Sequence, residues 1–144
     1  EAVKFMSSVA DQSEQFIDYT KSFFGNSVIP ISSTEELLLG AVSCSLTSDA
    51  DLIIVVSKSI ADLKYCSLLR PEAFIIAPVD SVEVARQLEL YSGLYPVVTD
   101  TLQPVAVQVE VSIHKAKSMG LLKSQKLKSK IVVVDMIDRQ VSVL

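Results

Sequence analysis

The sequence predicts an α/β fold built on a mostly parallel five-stranded sheet with one antiparallel edge strand. Three observations carry that expectation. The short apolar runs at 51–56 (DLIIVV) and 73–77 (AFIIA) have the composition of strands buried on both faces, which is a property of parallel sheets. Segments marked by helix-start and helix-stop residues alternate with such strands across short connections, which implies right-handed crossovers. The chain closes with 131–134 (IVVV), a turn near Asp138-Arg139, and 140–144 (QVSVL), the pattern of a terminal hairpin.

Taken in order, residues 2–24 place Ala2, Met6, Val9, Phe16 and Tyr19 near a 3.6-residue period, which predicts one first helix. Residues 25–32 (GNSVIPIS) contain Gly25, Asn26 and Pro30 and read as a linker, dividing the chain into 1–24 and 25–144. Ser33 with Glu36 offers a capping box for a second helix running to about Thr47. The 51–56 strand is β-branched and bounded by Asp49 and Ser57, and a helix at about 60–69 follows, ending before Arg70-Pro71. After the 73–77 strand, Asp80 and Glu83 form a second capping box. Gly93 is placed to end that helix in the left-handed conformation, and 94–99 (LYPVVT) resumes as a strand.

Residues 104–119 carry two patterns at once. Val105, Val107, Val109, Val111 and Ile113 alternate as a strand would. Against that, Pro104 suits a helix N1 position, Gly120 suits a C′ stop, and Ala106, Val109, Ile113 and Ala116 form a helical stripe. The segment is also longer than an ordinary strand, which favours the helix.

A length of 144 residues with 49% apolar content suits one domain that buries a core without disulfide or metal support. The net charge of −4, with acids and bases interspersed, argues against a nucleic-acid partner. The local run Lys115, Lys117, Lys123, Lys126, Lys128 and Lys130 reads as a solvated helix end and loop. No apolar run approaches the ~20 residues of a membrane span, and no signal peptide is seen, so no membrane partner is expected. Cys44 and Cys66 lie in apolar helix contexts and read as buried free thiols of a reducing compartment, with no metal site. The chain opens on Glu1 inside a helical pattern, as a piece of a longer protein would.

Catalytic constellations are absent from the sequence. His114 is the single histidine, and no Ser or Cys nucleophile stands at a suggestive spacing from it, so a surface or interface position is expected. The paired acids Asp49/Asp51 and Glu35/Glu36 fall at a loop and a helix start, where carboxylates are favourable. There is no GxGxxG and no GxxxxGK[ST]. Ser59 and Asp62 form an S-x-x-D arrangement opening the helix at Ile60.

One group of residues is more specific. Arg70-Pro71, Ile75-Ile76-Ala77, Ala85-Arg86-Gln87-Leu88, Leu90-Tyr91, Gly93 and Tyr95-Pro96-Val97 together resemble the C-terminal domain of pyruvate kinase. The resemblance extends over nearly the whole chain and is densest from Glu35 to Val97, and Glu1-Ala2-Val3 resembles the start of the family's last barrel helix. It implies a three-layer αβα sandwich, a helix at 104–119, and a catalytic (β/α)8 barrel preceding this segment. Phosphoenolpyruvate, ADP, magnesium and potassium would bind in that barrel, leaving this chain without catalytic residues or a cofactor of its own. The resemblance further implies a cytoplasmic homotetramer and a sugar-phosphate effector.

In the family, the effector's phosphate sits in a loop resembling Thr-x-Ser-Gly-x-Ser, where hydroxyls, N–H groups and a helix N-terminus converge on the anion. The matching residues are Ser57, Lys58, Ser59, Ile60, Ala61 and Asp62, of which Ser57, Lys58 and Ser59 fit the pattern. Ile60 replaces the glycine, and Asp62 puts a carboxylate where the last hydroxyl stands. The family's Gly-rich loop between the last two strands is reduced here to about Asp135–Gln140. These departures favour a helix cap at Ser59 over an effector pocket. Arg86 is expected in a structural or interface ion pair, and the apolar residues Leu37, Leu38, Val42, Leu63, Leu68 and Leu69 are compatible with a subunit interface. A stand-alone module binding a small anion at 57–60 is the alternative.

Overall fold

The computed structural model describes residues 1–26, 32–122 and 129–144. Its elements are α1 (Ala2–Glu14), α2 (Tyr19–Asn26), α3 (Ser33–Ser48), β1 (Leu52–Val56), α4 (Ile60–Leu68), β2 (Phe74–Val79), α5 (Val82–Leu88), β3 (Leu94–Val98), α6 (Val105–Ser118), β4 (Ile131–Asp135) and β5 (Gln140–Val143). The strands form one sheet in the order β3-β2-β1-β4-β5. The first four are parallel and β5 runs antiparallel to β4, as the sequence predicts.

The uninterrupted apolar runs are explained by their place in this order. Every residue of β1 and β4 is buried, because helices cover both faces of the sheet. One face, with Ile53, Val55, Ile75 and Val132, packs on Leu38 and Val42 of α3, Leu63 and Cys66 of α4, and Leu88 of α5. The other, with Leu52, Ile54, Ile76 and Val133, packs on Val109 and Ala116 of α6. The result is a three-layer sandwich. No helix among the described residues is long and apolar enough to cross a membrane.

The 104–119 segment is the helix α6. Its valine alternation divides by face: Val109 is buried against the sheet, while Val107 and Val111 are exposed. A Schellman closure ends it, with Gly120 N–H donating to Lys117 O (3.1 Å), Leu121 N–H to Ala116 O (3.1 Å), and Gly120 at φ +71°. Pro104 is the N-cap, extended at ψ 145°, rather than the first helical residue.

Several expected boundaries are corrected. The single helix over 2–24 is two helices, because Asp18 starts a new one by accepting the Lys21 N–H at 3.0 Å. That bond comes first, and the nearby Lys21 ammonium adds to it, in holding the Asp18 carboxyl below its ordinary value. The first capping box belongs to Ser32 and Glu35, not Ser33 and Glu36. Ser32 Oγ accepts the Glu35 N–H (3.2 Å) and Glu35 Oε2 accepts the Ser32 N–H (2.8 Å). Both serines have a glutamate three residues on, so the sequence motif fits either frame. The observed frame places Leu38, Ala41, Val42 and Ser45 on the core.

Likewise α5 is capped by Ser81, whose Oγ accepts the Val84 N–H (3.2 Å), and not by Asp80. Gly93 has the expected left-handed conformation (φ +71°), but α5 has already ended at Leu88. The glycine turns the chain into β3, and its carbonyl accepts the Ile75 N–H at 2.8 Å. The linker expected at 25–32 falls mostly on 27–31, and Lys123, Lys126 and Lys128 of the basic run fall on 123–128, both outside the described residues.

β2 continues beyond the predicted 73–77 through Pro78 to Val79. A proline is tolerated in this interior strand because the β1–β2 ladder ends at Ile54↔Ile76, whereas β2 stays paired with β3 to Val79↔Val98. β1 and β2 therefore part at their carboxyl ends.

The cap assignments have a direct test in urea unfolding. Ser32→Ala is expected to lower stability by about 1 kcal/mol, and Ser33→Ala to change it by less than about 0.5 kcal/mol.

Candidate functional site

The gap between the carboxyl ends of β1 and β2 holds a cavity of about 290 Å³. Such a crevice is the usual ligand position in open parallel sheets. Its floor is apolar, from Leu63, Val79 and Val84, and its rim carries Ser57, Lys58, Asp80, Thr101 and Leu102.

Of the residues singled out in the sequence, Ser57 and Lys58 line this cavity and Ser59 does not. Ser57 is held at the end of the buried β1, and its hydroxyl donates to Asp62 Oδ2 at 2.7 Å while accepting the Ser59 N–H at 3.0 Å. Ser59 is the N-cap residue of α4 but makes no side-chain cap bond. The expected Ser59–Asp62 box is thus replaced by a Ser57–Asp62 closure. The S-x-S spacing carried the missed signal, since a serine side chain readily accepts the N–H two residues on. Lys58 projects from this closed loop as an exposed cation.

The opposite wall was not anticipated from sequence. Asp100 accepts the Leu102 N–H (3.0 Å) and the Gln103 Nε2–H (3.2 Å). Gln108 of α6, only 2% exposed, donates from Nε2 to the carbonyls of Thr101 (3.2 Å) and Gln103 (2.8 Å). Asp100, two residues before Leu102 and followed by Pro104, was the available turn signal.

The other candidates lie apart. The β4–β5 turn is tight: Asp135 Oδ1 accepts the N–H groups of Ile137 (2.9 Å) and Asp138 (3.2 Å), and Arg139 turns the chain at φ +53°. His114 is exposed on α6. Arg86 is exposed as well and forms no ion pair with another described residue, so the structural half of its expected role is not seen within the chain. Cys44 and Cys66 are free thiols, and burial pushes Cys66 up to about 12, which suppresses thiolate chemistry there. Asp49 caps α3 in the left-handed conformation, and Asp51 is buried beside the amino end of β1. No group of three or more metal-ligating side chains occurs among the described residues.

The sequence profile described as "Pyruvate kinase, alpha/beta domain" matches residues 35–142. The chain belongs to the pyruvate kinase alpha/beta domain family. A pyruvate kinase of Schizosaccharomyces pombe is 32% identical over 133 residues, covering 85% of this chain and 26% of that protein. One from Clostridium acetobutylicum is 27% identical over 121 residues, covering 83% of this chain and 26% of that protein. A crystal structure of Cryptosporidium parvum pyruvate kinase superposes with a TM-score of 0.87 at 25% identity, over 99% of this chain and 29% of that one. The chain thus spans about a quarter of the length of the pyruvate kinases it matches.

Replacing each loop serine separates the observed closure from the expected cap. Ser57→Ala should lower unfolding free energy by about 1.5–3 kcal/mol, the scale of a hydrogen bond to a charged group. Ser59→Ala should stay within about 0.5 kcal/mol. Equal losses for the two, measured by urea unfolding, would contradict the assignment.

Proposed function

We propose that this pyruvate kinase alpha/beta domain is the C-terminal regulatory and assembly part of a cytoplasmic pyruvate kinase. The parent reaction is phosphoryl transfer from phosphoenolpyruvate to ADP, giving pyruvate and ATP in glycolysis. Substrates, magnesium and potassium would be held by a preceding barrel, and this chain's task is to pack against that barrel and against partner subunits.

The observation that carries the assembly reading is α1. It buries none of its residues, and Phe5 and Met6 are 72% and 69% exposed, with Val3 and Val9 exposed beside them. Apolar side chains grouped on a helix with nothing over them mark a surface that another body covers. At one edge of the sheet, β5 presents an unpaired strand side with Val141 and Val143 exposed, available to a second subunit. Of the apolar helix positions named from sequence, Leu38, Val42, Leu63 and Leu69 are core, and Leu68 is 62% exposed.

The same reading makes the sugar-phosphate pocket a lost one. The Ser57 hydroxyl, which would meet a phosphate, is engaged by the chain's own Asp62 carboxylate. Ile60 stands where the family pattern has glycine, and the short Asp135–Gln140 turn replaces the second phosphate loop. The alternative, a stand-alone anion-binding module, would rest on Lys58 alone.

The test is co-purification of this chain with the barrel segment of a pyruvate kinase lacking its own C-terminal domain. A stable complex is expected, weakened by Phe5→Ser with Met6→Ser. No association, or association indifferent to that pair of substitutions, would contradict the proposal.

A further inference from the structure

The valine alternation of α6 is used neither by the core nor by the assembly surfaces. Val105, Val107, Val109, Val111 and Ile113 are β-branched, a class with lowered helix propensity because χ1 is restricted against the preceding turn. Of these, Val109 is buried, Val105 and Ile113 are half-buried, and Val107 and Val111 are exposed. Two of the four buried residues of α6, Gln108 and Ser112, are polar, which leaves Val109 and Ala116 as its buried apolar anchors. The first turn has no acidic residue, and Pro104 supplies no side-chain cap. The helix is therefore held from outside itself, by the sheet face under Val109 and Ala116 and by the bonds from Gln108 to the Thr101 and Gln103 carbonyls. Over 105–113 the local sequence preference and the fold disagree.

We infer that α6 is a conditional helix whose alternative is a strand, and that this strand pairs with the same segment of a second copy of the chain. Extended, residues 105–113 (VAVQVEVSI) put the five β-branched side chains on one side and Ala106, Gln108, Glu110 and Ser112 on the other. The segment holds a single charge, no proline and no glycine, the composition of a self-pairing strand. Charge selects the orientation. A parallel in-register pair sets Glu110, Lys115 and Lys117 each against its own copy, and like charges directly opposite are destabilising. An antiparallel pair centred on Val109 instead sets Glu110 opposite Gln108, Ala106 opposite Ser112, and Val105 opposite Ile113. The apolar strands β1 and β4 are not the source of this pairing, because both lie inside the sheet with neighbours on either edge. They open only when the sheet does, whereas α6 lies in an outer layer and can open alone. The inference stands on α6 and does not depend on the assembly reading.

The experiment holds the 144-residue chain in urea below its global unfolding transition and follows amide hydrogen exchange and light scattering. The α6 amides are expected to exchange while those of β1 and β4 stay protected, and β-rich assemblies to grow from that opened state. Chains carrying a 13C label at Val105, mixed with chains labelled at Ile113, should show a solid-state NMR contact at the ~4.5–5.5 Å of facing antiparallel residues. Val107→Ala with Val111→Ala removes two exposed side chains, keeps the native packing, and raises helix propensity. That variant should assemble about tenfold more slowly, the effect of two such propensity gains on the opening equilibrium. An unchanged rate in that variant, α6 amides as protected as those of β1, or no assembly from the opened state would overturn the inference. So would a contact between Val105 labels of two copies, or assembly that is lost instead with Val141→Ala and Val143→Ala on β5.

Discussion

β1 is buried on both faces, and most of the molecule is arranged by the need to keep it so. Leu52 and Ile54 point to one layer and Ile53 and Val55 to the other, all fully buried. Removing each such side chain from water contributes about 1.5–3 kcal/mol, which requires helices on both sides. It also fixes where the chain leaves the sheet, because the next residue, Ser57, is the first with solvent access. The chemistry at the carboxyl end of the sheet therefore starts from a rigid point.

From that point two local choices decide what the site is. The first is Pro78 in β2, which lies beyond the last β1–β2 pair, where the two strands part and the cavity opens. The second is Asp62 in the first turn of α4, which reaches back 2.7 Å to Ser57. A hydrogen bond to a charged group is worth about 1.5–3 kcal/mol, and an incoming phosphate must displace it while approaching a carboxylate. That repulsion alone is about 1 kcal/mol between unit charges at 4 Å in water and larger near a protein surface. The carboxylate and the anion compete for one position.

The fold was legible in the sequence because its signals are long and redundant. LIIVV and IVVVD permit little besides buried strands, and the Gly120 stop and segment length, together with the family resemblance, favoured α6 over its valine alternation. The errors have a common physical source. Ser32/Ser33 and Asp80/Ser81 are neighbouring residues that can each cap a helix, and which one does so depends on the helix face the core requires, a tertiary fact. The site was half legible for the same reason. Ser57, Lys58 and Asp62 are local in sequence, whereas Asp80 and Thr101 join them only through strand parting and the Gln108 brace.

The most direct test of the Ser57–Asp62 closure as the feature that governs this site is calorimetric titration with fructose 1,6-bisphosphate of the native chain and of Asp62→Ser. The account predicts no saturable heat from the native chain at millimolar ligand, and measurable binding once the carboxylate is replaced by a hydroxyl. Saturable binding to the native chain that Asp62→Ser leaves unchanged would contradict it, and would mean that the loop accepts a phosphate with its own carboxylate in place.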